Sequence, residues 1–176
     1  RSCDIEQWFR IQWLENQAPF YGSVDLRNSG FKLAPVDMNL FPGGFNNLNP
    51  DFAPLAVQAA SVAIEKVCPE AKKVLIIPEK HTRNLFYLKN LFQFKEILKN
   101  SGLEVRIGTV DSNILEATDI LIDDYQSITL EPIQRRDDIL YIKDRDGTEF
   151  VPCSVILNND LSGGVPEKIK DIGQQI

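Results

Sequence analysis

Between residues 23 and 48 the chain reads SVDLRNSGFKLAPVDMNLFPGGFNNL. Arg27, Asn28, Lys32, Asp37, Asn39, Asn46 and Asn47 lie there among short apolar runs and an FPGGF turn, so strong hydrogen-bonding groups stand where the backbone must bend. Arg27 offers a flat fork of donors that matches a carboxylate or phosphate, Asp37 accepts from an ammonium group, and an asparagine amide does either. A zwitterion such as an amino acid would satisfy both signs at once. The plainer reading pairs Arg27 with Asp37 and leaves the asparagines to serve turns, as they often do.

Two further polar clusters follow apolar runs that read as buried strands. Glu79-Lys80-His81-Thr82-Arg83-Asn84 comes after VLIIP and opens a helix-like stretch. There His81, Thr82 and Arg83 could meet an anion at the positive end of a helix. His81 is the only histidine, so a histidine metal cluster is excluded, and a turn role stands beside a role as base or ligand contact. Asn158, Asn159 and Asp160 follow VIL and precede a Ser-Gly-Gly loop. They suit hydrogen bonds to a ligand, or Mg²⁺ through Asp160, although an Asx turn explains them too. No serine or cysteine has a partnered base in sequence, and the Gly43-Gly44 pair lacks the spacing of a phosphate loop.

These clusters are positioned by elements that read as α/β. A short helix over 4–15 carries Ile5, Trp8, Phe9 and Trp13 on one face, with Asp4 and Gln7 at capping-box spacing. The apolar face reads as core or partner-facing rather than as a ligand wall. Strands are expected at 23–26 and 31–36, a helix at 54–67, a buried strand at 73–77, and a helix at 83–99 with Thr82 as its N-cap and Gly102 as its stop. Strands at 103–110, 119–122 and 155–157 follow, with a hairpin of 139–143 and 148–151 around Asp144-Arg145-Asp146-Gly147. A weak helix is expected after Pro166. Strand, helix and strand from 73 to 110 form a βαβ unit, so the loop at 79–82 falls at the carboxyl edge of the sheet, where ligands of open α/β folds bind.

The 176 residues suffice for one domain with a full core, and 43% hydrophobic with 25% charged residues is an ordinary globular balance. A net charge of −6 disfavours nucleic acid as a partner. No apolar run reaches membrane-spanning length, so no membrane partner is expected. Cys3, Cys68 and Cys153 are far apart and lack metal-site spacing, which reads as free thiols in a reducing cytoplasm.

The blocks VDLRNSGFKLAPVD with NLFPGGFNNL, IPEKHTRN and LNNDLSGG, in that order, resemble the N-terminal part of the proteobacterial glutamate–cysteine ligases of the ATP-grasp type. The similarity runs from IEQWFR to the end, with Met38 where threonine is usual and Lys80 where asparagine is usual. The resemblance implies a mostly parallel sheet with flanking helices, like a pre-ATP-grasp N-terminal domain, and one substrate-side domain over 1–176. It implies ATP-dependent joining of the γ-carboxylate of L-glutamate to the amine of L-cysteine through an acyl phosphate, the first step of glutathione biosynthesis. ATP and Mg²⁺ are then expected mainly in a later, Gly-rich portion, and this chain alone is expected to be inactive. On that expectation Arg27, Asn28, Lys32, Asp37, Asn39, Asn46, Asn47, His81, Thr82, Arg83, Asn84, Asn158, Asn159 and Asp160 contact substrate. A non-catalytic amino-acid-binding α/β module is the alternative from another functional class.

Overall fold

The computed structural model describes residues 2–16, 19–39, 43–80, 83–159, 161 and 163–174. Two compact units divide the chain, residues 1–40 and 41–176. The first holds helix α1 (Ser2–Glu15) and an antiparallel hairpin of β1 (Ser23–Asn28) and β2 (Leu33–Asn39). Because α1 begins at Ser2, Asp4 sits in its first turn rather than at the cap expected for it. Trp8 and Trp13 are 56% and 69% exposed, so they are not core residues.

The hairpin turn is built by the Asn28-Ser29-Gly30 signal. Asn28 Oδ1 accepts from the Gly30 N–H at 2.8 Å, Ser29 N donates to Lys32 O at 3.0 Å, and Gly30 takes a φ of +89° that a Cβ would oppose. Leu26 pairs with Pro35 and Asp25 with Asp37, which leaves Val36 as an extra residue in a bulge. Proline is tolerated there because the missing N–H falls where the ladder is already broken.

The second unit opens with two 3-10 turns (Phe45–Asn47 and Pro50–Phe52) and α2 (Ala53–Val67), with Pro54 in the first turn. There follow β3 (Lys73–Pro78), α3 (Leu85–Asn100), β4 (Glu104–Thr109), β5 (Thr118–Leu121), β6 (Ser127–Pro132), β7 (Gln134–Arg136), β8 (Ile139–Lys143), β9 (Glu149–Phe150) and β10 (Ser154–Asn158). A last 3-10 turn covers Glu167–Ile169. The main sheet has the order β10-β3-β4-β6-β5, parallel except for the antiparallel edge strand β5. This is the α/β class with a mostly parallel sheet, and the β8–β9 hairpin joins β7 in a separate antiparallel sheet. The interior run VLIIP is buried along β3, as a strand covered on both faces requires.

Helix α3 begins two residues later than its sequence pattern suggests, and its N-cap is Asn84 rather than Thr82. Asn84 Oδ1 accepts from Phe86 N at 3.1 Å and Tyr87 N at 3.2 Å, as a short side chain just ahead of the apolar run can. The strands Ser127–Pro132 and Gln134–Arg136 had no counterpart in the sequence reading. Both are short and mixed in polarity, and they become strands by pairing with β4, β5 and β8.

Leu75, Ile77, Ile133, Leu140, Ile142, Phe150, Val155 and Ile169 form a continuous buried cluster. Gly108 on β4 is part of that packing: a Cβ there would lie 2.5 Å from Ile133 Cγ1 and 2.9 Å from Leu75 Cδ1. Gly108→Ala is therefore expected to destabilise the protein by about 1–3 kcal/mol through overpacking. Urea unfolding checks this, with a fall in midpoint at unchanged slope as the expected result.

Candidate functional site

In the unit of residues 1–40, pairing in β1 and β2 sorts the side chains onto two faces. Ser23, Asp25 and Arg27 lie opposite Asn39, Asp37 and Ala34, which makes one polar face, while Val24, Leu26 and Asn28 lie opposite Met38, Pro35 and Leu33. Of the residues expected to contact substrate, Arg27, Asp37 and Asn39 thus share a face. Asn28 falls on the other face with its oxygen committed to the turn, and Lys32 lies in the turn itself.

Asp37 uses Oδ1 to accept from its neighbour Met38 N at 2.9 Å, and Oδ2 lies 3.4 Å from Asn39 Nδ2. Among the described residues no ion pair joins Arg27 to Asp37, so the plainer pairing is not what this hairpin makes. The small Ala34 opposite Arg27 leaves the guanidinium uncovered. Asp25, which the sequence reading passed over, stands directly across from Asp37 and two residues from Arg27 on the same face. The alternation Asp25-Leu26-Arg27 was its available signal.

In the unit of residues 41–176, one face of α3 organises the carboxyl edge of the parallel sheet. Tyr87 Oη accepts from Glu79 N at 2.8 Å and donates to Asn158 O at 2.9 Å, clipping the end of β3 to the end of β10. Burial pushes the Tyr87 phenol well up, which keeps it a neutral donor. One turn along the helix, the buried Asn90 accepts from Phe45 N at 2.9 Å, and Phe45 stacks on Phe94 with centroids 4.8 Å apart. These contacts seat the Phe45–Asn47 turn on α3. Asn46 Nδ2 donates to Asn47 Oδ1 at 3.2 Å within that turn.

Arg83 is exposed one residue before the Asn84 cap. The Phe86 and Tyr87 N–H groups are taken by Asn84, so the guanidinium of Arg83, rather than those two N–H groups, is a donor open to an anion. Asn158 is fully buried, and Asn159 Oδ1 accepts from Leu161 N at 2.8 Å in an Asx turn. His81, Thr82 and Asp160 lie outside the described residues.

Neither Tyr87 nor Asn90 was singled out in the sequence, since both sit inside an amphipathic helix and gain their roles only by what packs against them. Tyr87→Phe is expected to remove both bridging bonds at a cost of about 1–3 kcal/mol, two hydrogen bonds at about 0.5–1.5 kcal/mol each. Hydrogen exchange at the Glu79 amide, faster in the variant than in the parent, checks it locally.

A cavity of about 290 Å³ bordered by Ile64, Cys68, Ala71 and Leu103 lies on the opposite side, ahead of β3 and β4 rather than at their carboxyl ends. Among the described residues no three of His, Cys, Asp and Glu stand together to hold a metal ion. No described helix is long and apolar enough to cross a membrane.

The family model described as Glutamate-cysteine ligase matches residues 1–176. A crystal structure of a "putative gamma-glutamylcysteine synthetase" from Methylobacillus flagellatus KT is 55% identical to this chain with a TM-score of 0.88. The match covers 98% of this chain and 40% of that one, so the chain spans well under half the length of that neighbour. A comparison with the curated proteins found no match. A family match along residues 1–176 and a fold shared at that level of identity have one consequence: the chain belongs to the glutamate–cysteine ligase family.

Proposed function

We propose that this chain forms the amino-acid side of an enzyme that joins the γ-carboxylate of L-glutamate to the amine of L-cysteine, the first step of glutathione biosynthesis. The observation that carries the reading is the polar face of the β1–β2 hairpin. It sets an uncovered Arg27 beside Asp37 and Asn39 in a member of this family. Arg27 binds a substrate carboxylate through its fork of donors, Asp37 accepts from the ammonium, and Asn39 fixes their relative orientation. At the carboxyl edge of the sheet, Arg83 is the donor offered to a second anion, with Asn46 and Asn47 held by α3 as further polar contacts.

ATP, when bound, supplies the phosphoryl group that makes the γ-carboxylate an acyl phosphate, so that phosphate leaves when the amine attacks. On this reading ATP and Mg²⁺ bind mainly in the counterpart of the remaining length of the longer neighbour. The 176-residue chain would then bind amino acid without turning over.

Phosphate release with L-glutamate, L-cysteine, ATP and Mg²⁺ tests this on the intact enzyme and on the 176-residue chain. Release that requires both amino acids in the intact enzyme, and none above background in the chain alone, is expected. Absence of turnover in the intact enzyme with retained L-glutamate binding would instead favour a non-catalytic binding module.

A further inference from the structure

Helix α1 carries an apolar stripe that has no cover among the described residues. Ile5, Trp8, Phe9 and Trp13 stand at i, i+3, i+4 and i+8, with Gln7 and Arg10 on the opposite side. All four are more than half exposed, and Trp8 meets Phe9 edge to face with ring centroids 5.1 Å apart. A helix of 14 residues is marginal in water by itself, because nucleation is costly and most helical stability comes from packing an apolar face. Each indole adds a large apolar area and one N–H that seeks an acceptor, which suits a surface met by another. Anchors at this spacing are those of a helix laid into an apolar groove.

The length of the neighbour points to the occupant. The shared fold takes in 98% of this chain, so α1 is retained there, yet it accounts for only 40% of the Methylobacillus flagellatus chain. The larger part of that chain lies outside the match. We propose that the Ile5-Trp8-Phe9-Trp13 stripe docks into an apolar groove on the portion of the intact enzyme that corresponds to this remainder, with acceptors there for the two indole N–H groups. The inference rests on the reading above, in which ATP binds in that same remainder. Helix α1 then fastens the amino-acid side of the enzyme to its ATP side, by contacts that bury the rings without using Arg27, Asp37 or Asn39.

Hydroxyl-radical footprinting, read by peptide mass spectrometry, compares Trp8, Phe9 and Trp13 in the 176-residue chain and in the intact enzyme. Labelling is expected to be strong in the chain and several-fold weaker in the intact enzyme, where the α1 amides should also exchange roughly tenfold or more slowly. Trp8→Glu combined with Trp13→Glu should lower the melting temperature of the intact enzyme and leave that of the 176-residue chain unchanged. Equal labelling in the two proteins, whether strong or weak, would overturn the proposal. So would protection that grows with protein concentration in both, which assigns the stripe to a second copy. Phosphate release by the intact enzyme reports separately on the ligase reading. Protection without turnover keeps the docking and loses that reading, whereas turnover without protection does the reverse. The footprint of the parent proteins decides, so a variant that fails to fold does not shelter the proposal.

Discussion

Arg27→Lys in the intact enzyme is expected to lower kcat/KM by an amount on the order of 2–3 kcal/mol, or roughly 30- to 150-fold, with almost no change in melting temperature. Lysine keeps the charge but loses the planar fork, so the loss isolates bidentate binding of a carboxylate from simple attraction. The small effect on stability follows from the hairpin. Arg27 faces Ala34 and makes no ion pair among the described residues, so little folded-state structure depends on it. Asp37→Asn should also lower kcat/KM, and it should relieve the opposition of two carboxylates across the strands at Asp25 and Asp37. Kinetics and melting are measured on both variants and on their double mutant. Parental kcat/KM for both amino acids and ATP in Arg27→Lys would remove this arginine from the site. A lowered melting temperature with coupling to Asp37 would make it a structural partner instead.

Phe150→Ala is the substitution with the largest expected cost to the fold, about 3–5 kcal/mol. The ring is 2% exposed within the cluster that includes Leu75, Ile142 and Val155, so it joins the parallel sheet to the β7–β8–β9 sheet. It also lies beneath two cations, with Arg106 4.8 Å and Lys73 5.5 Å from its centroid. Arg106 is held over the ring by Asp144 and by Glu131 at 3.2 Å. Its guanidinium keeps the Asp144 carboxyl below the ordinary range, whereas burial pushes Glu131 up despite the same neighbour. Deleting the ring therefore opens a cavity and removes the surface on which a charged network rests. In urea the midpoint should fall steeply, and a melting temperature lowered by less than a few degrees would show that the cluster collapses to fill the space. Phe150→Leu, which keeps most of the volume, should recover much of the loss.

Local chemistry in the sequence was enough to determine most of the elements. The run VLIIP has no polar face, so it had to be an interior strand. Asn28-Ser29-Gly30 had to turn because glycine alone takes the positive φ cheaply. Asp144 to Gly147 likewise closes the β8–β9 hairpin, with Gly147 N on Asp144 O at 3.0 Å. The blocks around Arg27, His81 and Asn158 carried the family, because their order and residue types are specific even where their geometry is unknown.

Pairing and packing decided the rest. The bulge at Val36 sets which residues of β2 share the face of Arg27: pairing outward from the turn without it would put Asp37 and Asn39 on the other face. No count along the strand reveals it, since one extra residue reverses the alternation beyond it. Strand β6 is a strand because β4 and β5 hold it between them. Tyr87 clips two loops because parallel pairing brings the ends of β3 and β10 side by side beneath α3. At the other end of those strands the same pairing lets Cys153 dock on Lys73, 80 residues away in sequence. Partners of this kind are distant in sequence, and the chain's local pattern holds no term for the closure of the loops between them.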